Sequence, residues 1–281
     1  MRVLLFFIIS LEVFATSKYD ILEKKHSEAV ELWEIGNNEK AFDIFKENSE
    51  KDYAASMFYL GLYYLYGFDT VKISYNNAFY YINRAADKGY INAELQRIIF
   101  YYYGIGMPKD RGVSKATFRG IEPYTHLLNQ KSKSYMLILV SLKKGFKNKK
   151  NKYRIKLLKK ILKSKHRLAI INLIFFYRTY PSYLKYNSYK AKSLIKNEIK
   201  KGNSEAQALY YEEYYKYLKK SIAFKYLLKA GIQGDVNSQY NLYLYYLRKK
   251  NNEKKMFWLE KAAKSGDSLA KKHLRKLKDY K

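Results

Sequence analysis

Residues 223–234 read AFKYLLKAGIQG and residues 255–266 read KMFWLEKAAKSG. Aligned on their last residues, Gly234 and Gly266, the two segments are 32 positions apart, and Gly202 stands 32 positions before them. Asn or Asp follows each glycine (Asn203, Asp235, Asp267), and a small residue lies four places after it (Ala206, Ser238, Ala270). Glycine adopts the left-handed conformation that ends a helix without a Cβ penalty. An Asn or Asp next to it caps the following helix, and the small residue lets that helix pack closely. Each glycine is therefore expected to be a joint between helical repeats.

Working outward, the same phrase returns at residues 78–89 as AFYYINRAADKG. Its Tyr81, Ala85, Ala86 and Gly89 correspond to Tyr226, Ala230 and Gly234 and to Trp258, Ala262, Ala263 and Gly266. Spacings of three and four place the aromatic residue and the alanines on one helical face. The other helix of the pair is clearest at residues 60–67, LGLYYLYG, which contain Leu60, Gly61, Tyr64 and Gly67. A partial echo, YYYGIGMPKD at 101–110, carries Gly104 and Gly106.

Together these residues resemble the Sel-one-like repeats, relatives of the tetratricopeptide repeats. Their pattern runs L-G-x-x-Y-x-x-G-x-G, then Asp, then K-A-x-x-W-x-x-K-A-A-x-x-G. The resemblance covers residues 60–89, 101–116 and 223–266, and is looser at 20–50 through Ala29, Leu32 and Lys40-Ala41-Phe42. It implies an all-α fold, a right-handed superhelical solenoid of stacked antiparallel helix pairs. Seven pairs are expected, at about 20–50, 54–88, 91–128, 131–163, 166–201, 204–233 and 236–265. A final helix from 267 carries Lys271, Lys272, Arg275, Lys276 and Lys278, as a solubilising polar cap would.

Residues 1–16 read as a signal peptide, with Arg2 ahead of an apolar run and small residues Ala15, Thr16 and Ser17 after it. The run falls short of the about 20 residues that span a bilayer. Residues 17–281 are then a single α-solenoid, soluble and without a membrane anchor. The chain has no cysteine, so packing alone must hold it, and thiol chemistry and Cys-ligated metals are excluded.

The net charge of +30 is unevenly distributed. Residues 20–52 contain ten carboxylates, whereas 123–197, a degenerate basic middle, contain none and twenty Lys or Arg. Within it Lys143, Lys144, Lys147, Lys149, Lys150 and Lys152 form a candidate partner patch for acidic protein, phosphate or anionic headgroups. The following helix places Ile155, Leu158, Ile161 and Leu162 on one side and lysines toward solvent.

His26, His126, His166 and His273 stand apart, with no H-E-x-x-H pair, and three of them lie beside Lys or Arg as on a solvated face. Gly104-Ile105-Gly106 lacks the third glycine of a dinucleotide loop and reads as a turn. No catalytic, metal or cofactor site is expected. Many of the 32 tyrosines, such as Tyr64, Tyr81 and Tyr226, are expected to fill gaps between helices, and the runs at 101–103 and 210–211 should expose a ring each. Some tyrosines are expected to line a concave recognition face.

The expectation is a non-catalytic adaptor that binds proteins, not nucleic acid. Within the family, residues 101–118 resemble the lumenal subunit of the membrane ubiquitin ligase of endoplasmic-reticulum-associated degradation. That implies recruitment of misfolded substrates or stabilisation of the ligase in the lumen. The alternative is a secreted or periplasmic bacterial repeat protein in envelope function or host contact.

Overall fold

The computed structural model describes residues 2–69, 71–121, 135, 158–159, 161–163, 166–182, 188–215 and 219–279. Among these are thirteen helices and one isolated bridge, between Phe68 and Asn203. The first six are α1 (Arg2–Ile35), α2 (Asn38–Glu50), α3 (Ala54–Tyr66), α4 (Tyr75–Asp87), α5 (Ile91–Tyr103) and α6 (Arg111–Ile121). Then follow α7 (Arg167–Thr179), α8 (Ser188–Lys200), α9 (Ser204–Tyr214) and α10 (Lys220–Gln233). The last three are α11 (Val236–Arg248), α12 (Asn252–Lys264) and α13 (Ser268–Asp279). Each helix packs on the next along α1–α6 and along α7–α13, so the chain is the expected all-α solenoid.

The joints are built as their sequence implies. Gly202, Gly234 and Gly266 have φ of +75°, +109° and +106°. The side chains of Asn203, Asp235 and Asp267 accept from the backbone N–H groups of Ala206, Ser238 and Ala270 at 3.0, 2.7 and 2.7 Å. The small residue is thus both the capped position and a buried contact. Inside a pair, Gly61 lets α3 approach α4; a Cβ there would lie 2.7 Å from Ile82 Cγ1. Tyr64 stacks on Tyr81 with centroids 5.8 Å apart, and Tyr226 meets Tyr210 edge-on. Ala85, Ala86, Ala230, Trp258, Ala262 and Ala263 are buried.

The packing divides into two cores. One, the hub, runs from Ala29 to Tyr210, and the other, the arm, gathers Leu227, Leu242, Tyr243, Trp258, Leu259 and Ala270 among others. In the hub α3 and α7 are covered nearly all round, with Ser56–Tyr63 and Arg167–Ile174 buried without interruption. A helix buried on every side needs neighbours beyond those adjacent in the array.

The segment after α3 supplies them. Phe68 bridges Asn203, Asp69 N–H donates to Gly202 O at 3.2 Å, and Ser204 N–H donates to Gly67 O at 3.1 Å. Ile73 N–H donates to Gln233 O at 2.7 Å, while Gln233 Nε2 donates to Asp69 O at 2.8 Å. Ser204 Oγ donates to Tyr66 O, and Gln233 reaches Gly67 O, across sequence separations of 138 and 166 residues. A simple solenoid contacts only its nearest repeats; this one folds back on itself.

That closure revises several expectations. Tyr59, Tyr63 and Tyr66 are at most 3% exposed inside the hub, so none of these three lines a concave face. Tyr101, Tyr102, Tyr103 and Tyr211 are only partly exposed, and Tyr210 is buried, because neighbouring repeats cover their rings. His26 is no solvated residue: Nδ1 lies 3.0 Å from Ser56 Oγ, and its ring packs against Phe45, Tyr53 and Tyr59. His273 similarly meets Tyr240 and Tyr243, and His166 is half-buried at the head of α7. Leu269 and Leu277 are exposed on α13, so that helix is basic without being a purely polar cap.

Leu158, Ile161 and Leu162 are buried and Lys159 and Lys163 exposed, as the amphipathic reading requires. His126, Ile155 and the patch Lys143, Lys144, Lys147, Lys149, Lys150 and Lys152 lie outside the described residues. Helix α1 runs unbroken through residue 16, and no described helix is long and apolar enough to cross a membrane.

Candidate interaction site

Two arginines from the acid-free middle organise the closure, and both leave their own block to find carboxylates. Arg167 is 0% exposed, as is its partner Glu198, whose Oε2 accepts from Nε at 3.0 Å. The guanidinium also donates to Asn38 Oδ1 at 2.8 Å, to Lys201 O at 3.0 Å and to Trp33 O. Its carbon sits 4.8 Å from the ring centroids of both Trp33 and Phe68. The backbone N–H of Arg167 donates to Glu34 Oε2 at 2.9 Å, so the acid-rich N-terminal repeat holds the head of α7. Asn38 Nδ2 reaches Asp69 Oδ2 at 2.6 Å and Lys201 O at 2.7 Å, joining loop and joint to the same network. A buried charge with so many partners is a device for holding one arrangement.

Arg178, in the last turn of α7, carries the second cluster. It makes a two-pronged contact with Glu212, Nε to Oε2 at 3.1 Å and Nη2 to Oε1 at 2.7 Å. Nη1 meets Asp235 Oδ2 at 2.7 Å and Glu205 Oε2 at 3.0 Å. The placement follows from helix ends: a cation at the C-terminus of α7 faces carboxylates at the N-termini of α9 and α11. Asp235 serves twice, since Oδ1 caps α11 while Oδ2 takes the arginine.

Arg178, Glu205 and Asp235 border a cavity of about 200 Å³. Its walls include Leu65, Tyr66, Tyr75, Ile105, Phe175 and Asn237. Burial pushes the Glu205 carboxyl up to about 7; Arg178 opposes this, and Asp235 and Glu212 reinforce it. Burial works against the charge on Arg178, yet Asp235, Glu205 and Glu212 hold its pKa well above the ordinary value. Burial and the nearby Glu205 raise the Tyr66 phenol far above its usual range. Among the described residues no group of three or more acidic or histidine side chains is arranged to hold a metal ion.

The repeat-defining residues are brought together as structure rather than chemistry, and Gly104-Ile105 adds a wall of the cavity to its role as a turn. Sequence reasoning singled out neither Arg167, Arg178 nor Glu205. The available signal was residue type: an arginine amid lysines marks multidentate pairing better than net charge does.

A model of the Sel1 repeat matches residues 54–90, 99–116, 216–235 and 238–267, which include Gly61, Tyr64, Tyr81, Gly104, Tyr226, Gly234, Trp258 and Gly266 but not the joint Gly202. No curated protein matches the chain. One similar solved structure is a protective antigen present in uropathogenic Escherichia coli strains and displaying an SLR fold. It is 19% identical, with a TM-score of 0.39, over 90% of this chain and 56% of that one. The chain thus spans little more than half the length of that protein. Another is a Sel1 repeat protein from Oxalobacter formigenes, 21% identical with a TM-score of 0.42, over 85% of this chain and 99% of that one.

Proposed function

We propose that this chain, which carries Sel1 repeats, is a non-catalytic scaffold that binds protein partners through its arm rather than through an enclosed groove. The observation that carries this reading is the set of exposed apolar groups on the arm. The tyrosines of α3 are spent on closing the hub, whereas Ile222, Ile232, Leu247, Phe257, Leu269 and Leu277 of α10–α13 remain exposed amid lysines. Exposed apolar side chains rimmed by charge suit partner contact.

The compartment is proposed on sequence grounds alone. The leader read at residues 1–16 and the resemblance of residues 101–118 are what support a scaffold of the endoplasmic reticulum lumen serving the ubiquitin ligase of protein degradation. A photo-crosslinking residue in place of Phe257 or Leu247 of the tagged full chain tests both levels. Adducts from either position, absent when the probe replaces buried Leu259, support the scaffold. A RING ligase among the adducts supports the lumenal role, and release to medium or periplasm without one sinks it. No adduct from any arm position overturns the arm as the binding surface.

A further inference from the structure

We propose that a second copy of this chain docks on α13, the basic outer face of that helix in one copy meeting the acidic outer face of α1 in the next. The proposal rests on the arm as a binding surface and commits one of its helices to one occupant. Within Ser268–Asp279 five Lys or Arg stand against one Asp. Ala270 turns into the arm core, whereas Leu269, Lys272 and Lys276, spaced three and four apart, share an exposed face with Leu277 beside it. Lys271 and Arg275 are exposed as well, and none of these four cations makes an ion pair with any described residue. Exposed leucines among unpaired cations suit an occupant that supplies both apolar groups and carboxylates.

The chain itself supplies one. Ile21, Lys24, Glu28, Glu31 and Ile35 follow the same spacing along α1 and are all exposed, while Leu22, Ala29 and Trp33 bury its other side. Lys24 is the single cation of that stripe. Glu28 and Glu31 pair with no described residue, unlike Glu47, held by Lys25 and Lys51, and Asp52, held by Arg84 and Lys88. Residues 20–52 hold ten of the 25 carboxylates, an acidic region in a chain of net charge +30. Both stripes set charges beside apolar residues. One contact can therefore bury isoleucines against leucines and face Glu28 and Glu31 to Lys272 and Lys276. Two bodies of like net charge repel at a distance, but physiological salt screens that repulsion beyond about 8 Å, and facing pairs lie inside that range. Each copy carries both faces, so copies add head to tail or close reciprocally.

Sedimentation equilibrium of the full chain tests the contact. At about 0.15 M salt and about 100 μM protein the average mass should exceed that of one chain, and about 1 M salt should return it to one chain. E28K/E31K and K272E/K276E should each weaken association about tenfold, while circular dichroism stays that of the parent chain because all four side chains are exposed. An equimolar mixture of the two variants should form a one-to-one complex, since one keeps the α13 face and the other the α1 face. The chain with all four changes should associate again. A parent chain that stays single, association untouched by either variant, or a mixture that fails to pair overturns the proposal. So does a single chain that binds phosphatidylcholine vesicles containing phosphatidylserine through the α13 lysines, which makes headgroups the occupant. The scaffold reading stands or falls separately, on adducts between Phe257 or Leu247 and other proteins.

Discussion

Gly202 and Gly266 occupy the same step of the same repeat, each with positive φ and each followed by a capping residue. A methyl group on Gly202 would lie 2.0 Å from Asp69 Oδ1, whereas on Gly266 it would meet nothing within 4 Å. The difference belongs to their regions. The hub joint is gripped by a loop from a distant repeat, while the arm joint serves only its two adjacent helices. In the arm, stability is expected to be a sum of neighbouring interfaces; in the hub, distant repeats must assemble together. One repeat chemistry therefore supports two kinds of cooperativity, depending on whether the array returns to meet itself.

The largest expected effect is at the hub. Removing the guanidinium in R167A leaves Glu198 buried without its partner and should cost about 3–5 kcal/mol. Urea unfolding should show that loss, and hydrogen exchange should show lost protection in α3 and α7 with α11–α13 retained. Protection lost equally in both regions would erase the distinction drawn between them.

W258A removes the largest side chain of the arm core and should cost about 3 kcal/mol. Its loss of protection should be confined to α10–α13. The two variants should be nearly additive, because they share no partner.

The matched glycines sharpen the comparison on a smaller scale. G266A should cost about 1 kcal/mol, from its positive φ alone. G202A should cost measurably more, because Asp69 and its bond to Asn38 must also move. Equal shifts in melting temperature would show that the loop contact contributes nothing.

A further effect is a pH slope. Glu205 retains its proton up to about pH 7 when folded, against a value of 4.5 when unfolded. The folded state therefore binds the extra proton between these limits, and stability falls as pH rises from about 4.5 to about 7, then levels off. E205Q should remove that portion of the slope, read as the difference in urea midpoint between pH 5 and pH 8. R178 is left intact in that variant, so the remaining carboxylates still anchor it.

Much of the arm was legible because its determinants are local. The phrase ending at Gly234 and Gly266 states where the helices stop, which residue caps the next, and which face holds Trp258 or Tyr226. The hub was legible only in outline. The full burial of Tyr59, Tyr63 and Tyr66 was not legible, because a linear repeat pattern contains no term for the array turning back. The acid-free middle looked like an external patch, yet its described arginines, Arg167 and Arg178, are consumed internally by carboxylates from other repeats. Glu205 gave no signal beyond its place in the first turn of a helix, because its burial depends on α7 arriving over it.

By itself the sequence determined the helical repeat, its phase, its joints and its caps, since each depends on residues within about one turn of one another. It also determined the charge imbalance between blocks. Only the tertiary structure decided which joint is free and which is gripped, which arginine meets which carboxylate, and that a cavity forms where α3, α7, α9 and α11 converge. Those outcomes rest on contacts between different repeats, up to 166 positions apart, and such contacts leave no periodic trace in the chain.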